Sequence, residues 1–177
     1  MARNFVNRFN HRYGDVFPEP RAFNYGEDLI KVPSLDGKGK MSKSENQNAT
    51  LYLSNSDQDI TRKIKKMQSD SGPTEKNSAK PEMIQVFFSL LQLVSSQEVT
   101  SQFESDYNNC TIRYGDLKAQ LASDMIRFIS PIREKSEAIR NDEKYLQQVM
   151  EQGAEKARSS ARATMEIVRE SMGLNYF

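Results

Sequence analysis

The sequence predicts a mainly α protein, in which a C-terminal helical bundle follows a short part with one helix and one or two strands. Apolar residues recur at helical spacing over most of the chain after residue 54. A mean hydropathy of −0.74 with 28% charged residues is typical of amphipathic helices that are exposed on one side. Because one or two strands cannot form a stable sheet alone, we expect the N-terminal part to be the end of a larger domain.

The N-terminal part begins with a predicted helix within residues 5–13, which ends at Gly14. Residues 15–28 contain two prolines and a glycine and are predicted to form a loop. The apolar run at residues 29–35 predicts a short strand, and the alternation at residues 51–53 predicts a second, still shorter one.

Helices are predicted for most of the remaining chain. Ser56 or Asp57 can cap the first of them, and its apolar stripe consists of Ile60, Ile64 and Met67. A polar loop over residues 69–80 precedes a helix that has Pro81 in its first turn and is apolar nearly all round, so we expect this helix to be buried. Three more helices are predicted over residues 97–107, 117–132 (with a kink at Pro131) and 142–172.

The last predicted helix carries a stripe of apolar residues that we expect to be core. Small residues in the middle of this helix would allow a neighbouring helix to approach closely. The stripe consists of Leu146, Val149, Met150, Met165, Val168 and Met172.

Composition excludes several classes of protein. The 25 basic and 24 acidic residues leave a formal charge of +1, so any site for a polyanion has to be local. The single Cys110 excludes an intramolecular disulfide and a cysteine metal cluster, and no residues are predicted as metal ligands. No apolar run approaches the roughly 20 residues that cross a bilayer, and the N-terminus lacks the apolar stretch of a signal peptide. We expect a cytoplasmic protein.

The segment DGKGKMSKSENQNAT, residues 36–50, gathers three lysines among glycines and serines, and we call it the lysine loop. One interpretation is a solvated linker. The other is a phosphate site, because glycines let the backbone approach an anion, N–H and O–H groups donate to it, and ammonium groups add charge. An ammonium about 4 Å from a phosphate oxygen contributes on the order of 4 kcal/mol at an effective dielectric near 20, before desolvation. The loop lacks the G-x-x-x-x-G-K-[ST] spacing, which favours a mobile flap over a triphosphate.

The sequence KMSKS at Lys40–Ser44 resembles the signature loop of class I aminoacyl-tRNA synthetases, and its surroundings resemble bacterial tryptophanyl-tRNA synthetases. RFNHRYGDVFPEP before the loop, and YGDLKAQLASDMIRFISPIRE and GAEKARSSARATMEIVRESMGL after it, extend the resemblance over essentially the whole chain. The resemblance implies that residues 1–53 are the last helix and strand of a truncated Rossmann-type catalytic domain. It also implies that residues 54–177 form a helical anticodon-binding domain.

The resemblance further implies that tryptophan is activated by ATP and then transferred to the 3′ end of tRNA(Trp), with Mg²⁺ as a cofactor. Lys40 and Lys43 would be the catalytic residues, because they would stabilise the departing pyrophosphate. The implied ATP-binding residues are Val32, through a backbone contact to adenine, together with Lys40, Met41, Ser42, Lys43 and Ser44. The implied partners are tRNA(Trp), bound through the helical domain, and a second copy of the complete enzyme in a homodimer.

One family signature is absent from the sequence. The H-I-G-H type motif, which helps to bind ATP in the family, does not occur in these 177 residues. We therefore expect a C-terminal fragment that does not aminoacylate by itself, because its phosphate flap has no opposing wall. The one histidine, His11, is expected to lie solvated on a helix surface.

Two basic regions are candidates for contact with RNA. The run TRKIKK, residues 61–66, is either such a contact or the solvated face of an amphipathic helix. In the last helix, we expect Arg158, Arg162 and Arg169 to pair with Glu155, Glu166 and Glu170 on the surface.

Two other interpretations of the whole chain stay open. One is an RNA-binding or regulatory helical module without catalysis, and the other is a helical scaffold whose lysine loop is only a linker. An in-frame upstream sequence that encodes a H-I-G-H type motif would favour the enzyme over the first. Ordering of the loop by ATP or pyrophosphate would exclude the second.

Overall fold

The computed structural model describes residues 1–23, 31–44 and 46–174, and their regular structure is helical. No strand is formed among these residues, so the predicted mainly α class is confirmed. The six α-helices are α1 (Ala2–Tyr13), α2 (Asp57–Lys65), α3 (Glu82–Val94), α4 (Gln97–Asn108), α5 (Tyr114–Arg140) and α6 (Glu143–Ser171), and a short 3₁₀-helix covers Gln47–Ala49.

The prediction of two strands is wrong for the residues that the structure describes. Residues 31–35 and 51–53 have no strand pairing beyond an isolated antiparallel bridge between Pro33 and Lys40. Pro33 has no backbone N–H to donate, and the chain turns immediately after the bridge, so the ladder cannot extend. The start of the predicted strand and the end of the predicted loop 15–28 lie outside the described residues.

The chain divides into two compact units. One consists of Met1–Leu29 and Ile139–Phe177, and the other of Ile30–Ala138. The second unit therefore contains the lysine loop, α2, α3, α4 and most of α5. The functional division at residues 53 and 54 that the resemblance implies does not coincide with a boundary between these units, and it stays a prediction.

The core of the Ile30–Ala138 unit is built around α3, as its all-round apolar sequence predicts. Six residues of this helix are buried: Ile84, Val86, Phe87, Phe88, Leu90 and Leu91. Pro81 occupies the N-cap position, one residue before the helix, where its missing N–H costs nothing. The stripe predicted for α2 is also buried, and Ser56 caps this helix by accepting a hydrogen bond from the Asp59 N–H at 3.1 Å.

The same core contains a carboxylate that the sequence did not indicate. Asp124 of α5 is 2% exposed. It accepts hydrogen bonds from Ser95 Oγ at 2.6 Å, Gln120 Nε2 at 3.0 Å and Arg127 Nη2 at 2.6 Å. Three donors, one of them cationic, offset the cost of burying the charge and join α5 to the end of α3.

In the unit formed by the two ends of the chain, α1 holds the segment that follows it. Asn10 Nδ2 donates to the Phe17 carbonyl at 2.7 Å, and Asn10 Oδ1 accepts from the Phe17 N–H at 3.0 Å. The ring of Phe17 contacts those of Phe5 and Phe9. His11 is exposed, as predicted.

The core predicted for α6 is largely absent. Within the part of the chain that the structure describes, Val168 is the buried member of the stripe, whereas Val149, Met165 and Met172 are exposed and Met150 is 72% exposed. None of the described residues lies within 4 Å of the position that a Cβ would take at Gly153, so the close approach that we predicted is not formed there. Periodicity marks the face of a helix that can be buried, but it does not show that another element covers it.

None of the helices in the described ranges is both long and apolar enough to cross a membrane.

Candidate functional site

The lysine loop has a hydrogen-bonded base (residues 34–36 and 46–50) and a tip (Lys40–Ser44). Asp36 links the two sides of the base: its Oδ1 accepts from Ser34 Oγ at 2.6 Å and from the Lys38 N–H at 3.1 Å, and its Oδ2 accepts from Asn46 Nδ2 at 3.2 Å. The Ser34 hydroxyl, and then the Lys38 N–H, hold the pKa of Asp36 below its usual value. The turn is thus closed by an ionised carboxylate.

The base is also seated on the core. Leu35 and Ala49 are buried, and the Leu35 N–H donates to the Ala49 carbonyl at 2.8 Å. Gly37 has a φ of +73°, and a Cβ at this position would lie 2.7 Å from Met83 Sδ of α3. The left-handed backbone conformation favours glycine here, and a Cβ would in addition displace the flexible Met83 side chain.

Lys63 of α2 fastens the second side of the base. Its Nζ donates to the Gln47 carbonyl at 2.9 Å, to the Thr50 carbonyl at 2.6 Å and to Asn55 Oδ1 at 3.2 Å, and it lies 5.1 Å from the ring centre of Tyr52. Burial lowers the pKa of Lys63, and the charge of the Asp59 carboxylate partly offsets this effect. Sequence reasoning placed this lysine in the TRKIKK run and missed its role.

The tip carries the two predicted catalytic residues. Lys40 and Lys43 are exposed, and neither ammonium makes a hydrogen bond or ion pair with any described residue. Ser42 Oγ and Ser44 Oγ are 3.3 Å apart. The tip thus presents two unpaired cations and two hydroxyls to solvent.

The remaining predicted ATP-binding residues, Met41 and Val32, connect the tip to the core. Met41 is half-buried against the hydrophobic core, which is the packing that an anchor requires. Its N–H donates to the carbonyl of Val32 at 2.9 Å. The Val32 side chain is exposed.

A cavity of about 190 Å³ lies between the base and the tip. Of the predicted site residues, it brings together Lys40 and Ser42, which line it with Asp36, Lys38 and Thr50 among others. The cavity is not lined by the other four predicted site residues, which are Val32, Met41, Lys43 and Ser44. Pockets for small molecules usually have about 300–1,000 Å³, so this cavity can hold only part of a nucleotide.

The site does not fit a magnesium ion held by the protein. No cluster of three or more His, Cys, Asp or Glu side chains occurs in the described ranges. Among the described residues of the lysine loop, the carboxylate is that of Asp36. Its oxygens already accept three hydrogen bonds. Mg²⁺ commonly binds through substrate phosphates and keeps several waters, so a Mg²⁺ used here would arrive on the nucleotide.

For both basic regions the structure describes the side chains, while contact with RNA stays a prediction. In the TRKIKK run, Arg62 pairs with Asp59 and Lys63 binds the loop base, while Lys65 and Lys66 are exposed. The ion pairs predicted along α6 are not formed, and none of the six side chains makes an ion pair within the described part of the chain: Arg158, Arg162, Arg169, Glu155, Glu166 and Glu170.

Comparison with known proteins identifies the family. A family model described as "tRNA synthetases class I (W and Y)" matches residues 1–130. The chain belongs to this family of class I tRNA synthetases. The resemblance that the KMSKS segment indicated is therefore confirmed.

The curated relatives are tryptophan enzymes. Tryptophan–tRNA ligase of Porphyromonas gingivalis is 49% identical over 174 residues, which are 98% of this chain and 53% of the relative. The enzyme of Chlamydia caviae is 31% identical over 99% of this chain and 50% of the relative. The chain spans about half the length of these relatives.

Solved structures of tryptophanyl-tRNA synthetases are also similar to this chain. Tryptophanyl-tRNA synthetase of Campylobacter jejuni, solved in complex with ADP and tryptophan, is 25% identical and has a TM-score of 0.77 over 97% of this chain and 52% of its own. The Mycoplasma pneumoniae enzyme, at 24% identity, shares the fold with a TM-score of 0.69 over 98% of this chain and 54% of its own.

Proposed function

We propose that this chain is the part of a tryptophan–tRNA ligase that carries the ATP-phosphate loop and the helical domain. The observation that supports this most directly is the contrast within the lysine loop. Its base is fixed by hydrogen bonds to Asp36 and Lys63, while the ammonium groups of Lys40 and Lys43 have no partner in the described structure. Unpaired cations on a supported loop are suited to receive an anionic ligand.

In the proposed reaction, a carboxylate oxygen of tryptophan attacks the α-phosphorus of ATP. The bond from this phosphorus to the bridging oxygen breaks, and its electron pair leaves on pyrophosphate. Lys40 and Lys43 stabilise this growing charge, and cations that bind more tightly in the transition state than in the ground state raise the rate. In the second step, a hydroxyl at the 3′ end of tRNA(Trp) loses its proton and attacks the acyl carbon of the tryptophanyl-adenylate. The bond from this carbon to the phosphate oxygen breaks, and AMP leaves with its electron pair.

The other predicted ATP-binding residues have supporting roles in the same proposal. Ser42 and Ser44 donate hydrogen bonds to phosphate oxygens, and Met41 anchors the tip through its contact with the core. A backbone group of Val32 contacts adenine. The ADP and tryptophan bound to the Campylobacter jejuni relative support a nucleotide and an amino acid as ligands.

The wider predictions from the resemblance belong to this proposal as well. They are ATP carrying Mg²⁺ as the substrate form, contact with tRNA(Trp) through the helical domain, a homodimer for a protein of the relatives' length, and a cytoplasmic location. We expect the 177-residue chain alone to bind phosphate groups without aminoacylating, because it contains no H-I-G-H type motif.

Lys43→Ala in a protein extended to the length of its relatives tests the proposal. Tryptophan-dependent pyrophosphate exchange should fall by on the order of 10²–10³-fold, the scale for losing one preorganised donor in a transition state. Lys65→Ala removes an exposed lysine of α2 and serves as the matched control with an unchanged rate. An unchanged rate in Lys43→Ala would refute the assignment of the loop to catalysis.

A second candidate function is an RNA-binding helical module without catalysis. It is favoured by three exposed arginines of α6 that make no ion pair with the residues that the structure describes: Arg158, Arg162 and Arg169. Binding of tRNA by the 177-residue chain, with pyrophosphate exchange absent even from the extended protein, would support this function over the ligase.

A further inference from the structure

A continuous series of hydrogen bonds joins α5 to the segment that supports the lysine loop. Arg133 of α5, whose side chain is 16% exposed, donates through Nη1 to the Asn55 carbonyl and through Nη2 to Asp57 Oδ1 at 2.6 Å. The side chain of Asn55 faces the loop, because its Oδ1 accepts from Lys63 Nζ at 3.2 Å and from the Tyr52 N–H at 3.0 Å. Asn55 therefore has its backbone bound to one cation and its side chain bound to another.

The series continues from Lys63 to the tip. The same Nζ binds the carbonyls of Gln47 and Thr50. Thr50 Oγ1 in turn donates to the carbonyl of Ser42 at 3.0 Å. A path of direct contacts thus leads from α5 to the KMSKS residues, and it lies wholly within the Ile30–Ala138 unit.

The neighbouring lysines show that this arrangement is specific. Lys65 and Lys66 lie on the same helix as Lys63 or at its end, yet they are exposed. A lysine that served only solubility would keep its ammonium in water in the same way. Lys63 instead directs its donors to backbone carbonyls, and these would lose a charged partner if the ammonium were removed.

We propose that Lys63 and Arg133 are positioning residues that, through Asn55, fix the base of the lysine loop relative to α5. The geometry at which Lys40 and Lys43 meet phosphate then depends on α5. This consequence rests on the proposed function, whereas the positioning itself does not.

Amide hydrogen exchange on the 177-residue chain tests the positioning. The Leu35 and Ala49 N–H groups report on the base, since their acceptors are the Ala49 and Asn46 carbonyls. The Ser95 N–H, bound to Leu91 at 2.8 Å, reports on the core. Lys63→Met keeps the aliphatic stem and removes the donors, and we expect exchange at the base to become about tenfold faster, with exchange at Ser95 changed by less than about twofold.

The companion variants separate positioning from general stability. Arg133→Met should accelerate the same two amides, and the double variant should change them by less than the product of the single effects, because both residues act through Asn55. Lys65→Met is the matched control and should leave all three amides unchanged. Effects that multiply, an unchanged base in Lys63→Met, or equal acceleration at Ser95 would each overturn the proposal.

Binding of pyrophosphate to the same variants tests the consequence for function. Titration calorimetry should show binding weakened about three- to tenfold by Lys63→Met, largely recovered by Lys63→Arg, and unaffected by Lys65→Met. If the unmodified chain binds no pyrophosphate, the proposed function loses its support, while the exchange data still decide the positioning. If it binds and Lys63→Met binds equally well, the dependence of the phosphate site on Lys63 is refuted.

Discussion

The base and the tip of the lysine loop are close in sequence and have opposite environments. Both contain small polar residues, but Asp36 in the base accepts three hydrogen bonds, whereas Lys43 in the tip makes none that the described structure shows. The same contrast separates Lys63, bound to three oxygens, from Lys43. The role of a lysine here follows from the acceptors around it. The base can therefore be tested through stability and the tip through chemistry.

The largest effect on stability is expected from the apolar part of the base. Leu35→Ala removes a buried side chain and leaves a cavity beside Ala49, which should lower the free energy of unfolding by about 2–5 kcal/mol. Urea denaturation followed by circular dichroism measures the change. A loss below about 0.5 kcal/mol, the range of ordinary surface substitutions, would show that the base is not part of the core.

A somewhat smaller loss is expected from Gly37→Ala. Alanine at position 37 would be held in a left-handed backbone conformation, and its Cβ would displace Met83 Sδ. Together these effects should lower the free energy of unfolding by about 1–3 kcal/mol. Gly39→Ala is the matched control: its φ of +84° imposes the same backbone strain, but nothing lies within 4 Å of the added Cβ. Unfolding by urea should separate the two variants, and equal losses would contradict the role given to Met83.

The carboxylate of the base predicts a dependence on pH. The folded pKa of Asp36 lies below its unfolded value of about 4, so its contribution to stability is complete above that value and is lost as the pH falls through the folded pKa. Asp36→Asn should therefore be less stable than the unmodified chain at pH 7, and the difference should shrink on acidification below pH of about 4. Urea midpoints measured at several pH values check this, and a constant difference would exclude Asp36 as its source.

The smallest effect is expected at the tip. Because the Lys40 and Lys43 ammonium groups have no partner among the described residues, Lys40→Ala and Lys43→Ala should each change the free energy of unfolding by less than about 0.5 kcal/mol. The same denaturation experiment applies. A tip variant as destabilising as Leu35→Ala would remove the distinction between base and tip.

How much the sequence could predict depended on whether a feature is local. Patterns of neighbouring residues predicted a cap at Ser56 or Asp57, and the structure uses Ser56. They also predicted the buried α3 and the bounds of α6 within one residue, and both are confirmed. KMSKS and its flanking segments indicated the family correctly. Lys63 could not be recognised, because its acceptors lie 8 to 16 residues away and are mostly backbone carbonyls without a side-chain signal.

The wrong predictions concern features that depend on residues distant in sequence or on side-chain conformation. The strand at residues 29–35 had suitable composition, but pairing needs a partner, and the described residues offer only the bridge to Lys40. The stripe of α6 had helical period, but burial needs a covering element. The ion pairs expected from its alternating charges also depend on side-chain conformations that spacing does not determine.

The division of the chain into units has a consequence for how it folds. One unit joins the first residues to the last, so the whole of Ile30–Ala138 interrupts it in the sequence. Contacts between such distant segments carry a loop-closure entropy that grows with the number of intervening residues, whereas α3 and α4, which contact each other, are separated by only two residues. During refolding, amides of α3 and α4 should gain protection first, and those of α1 should follow once the two ends of the polypeptide have met.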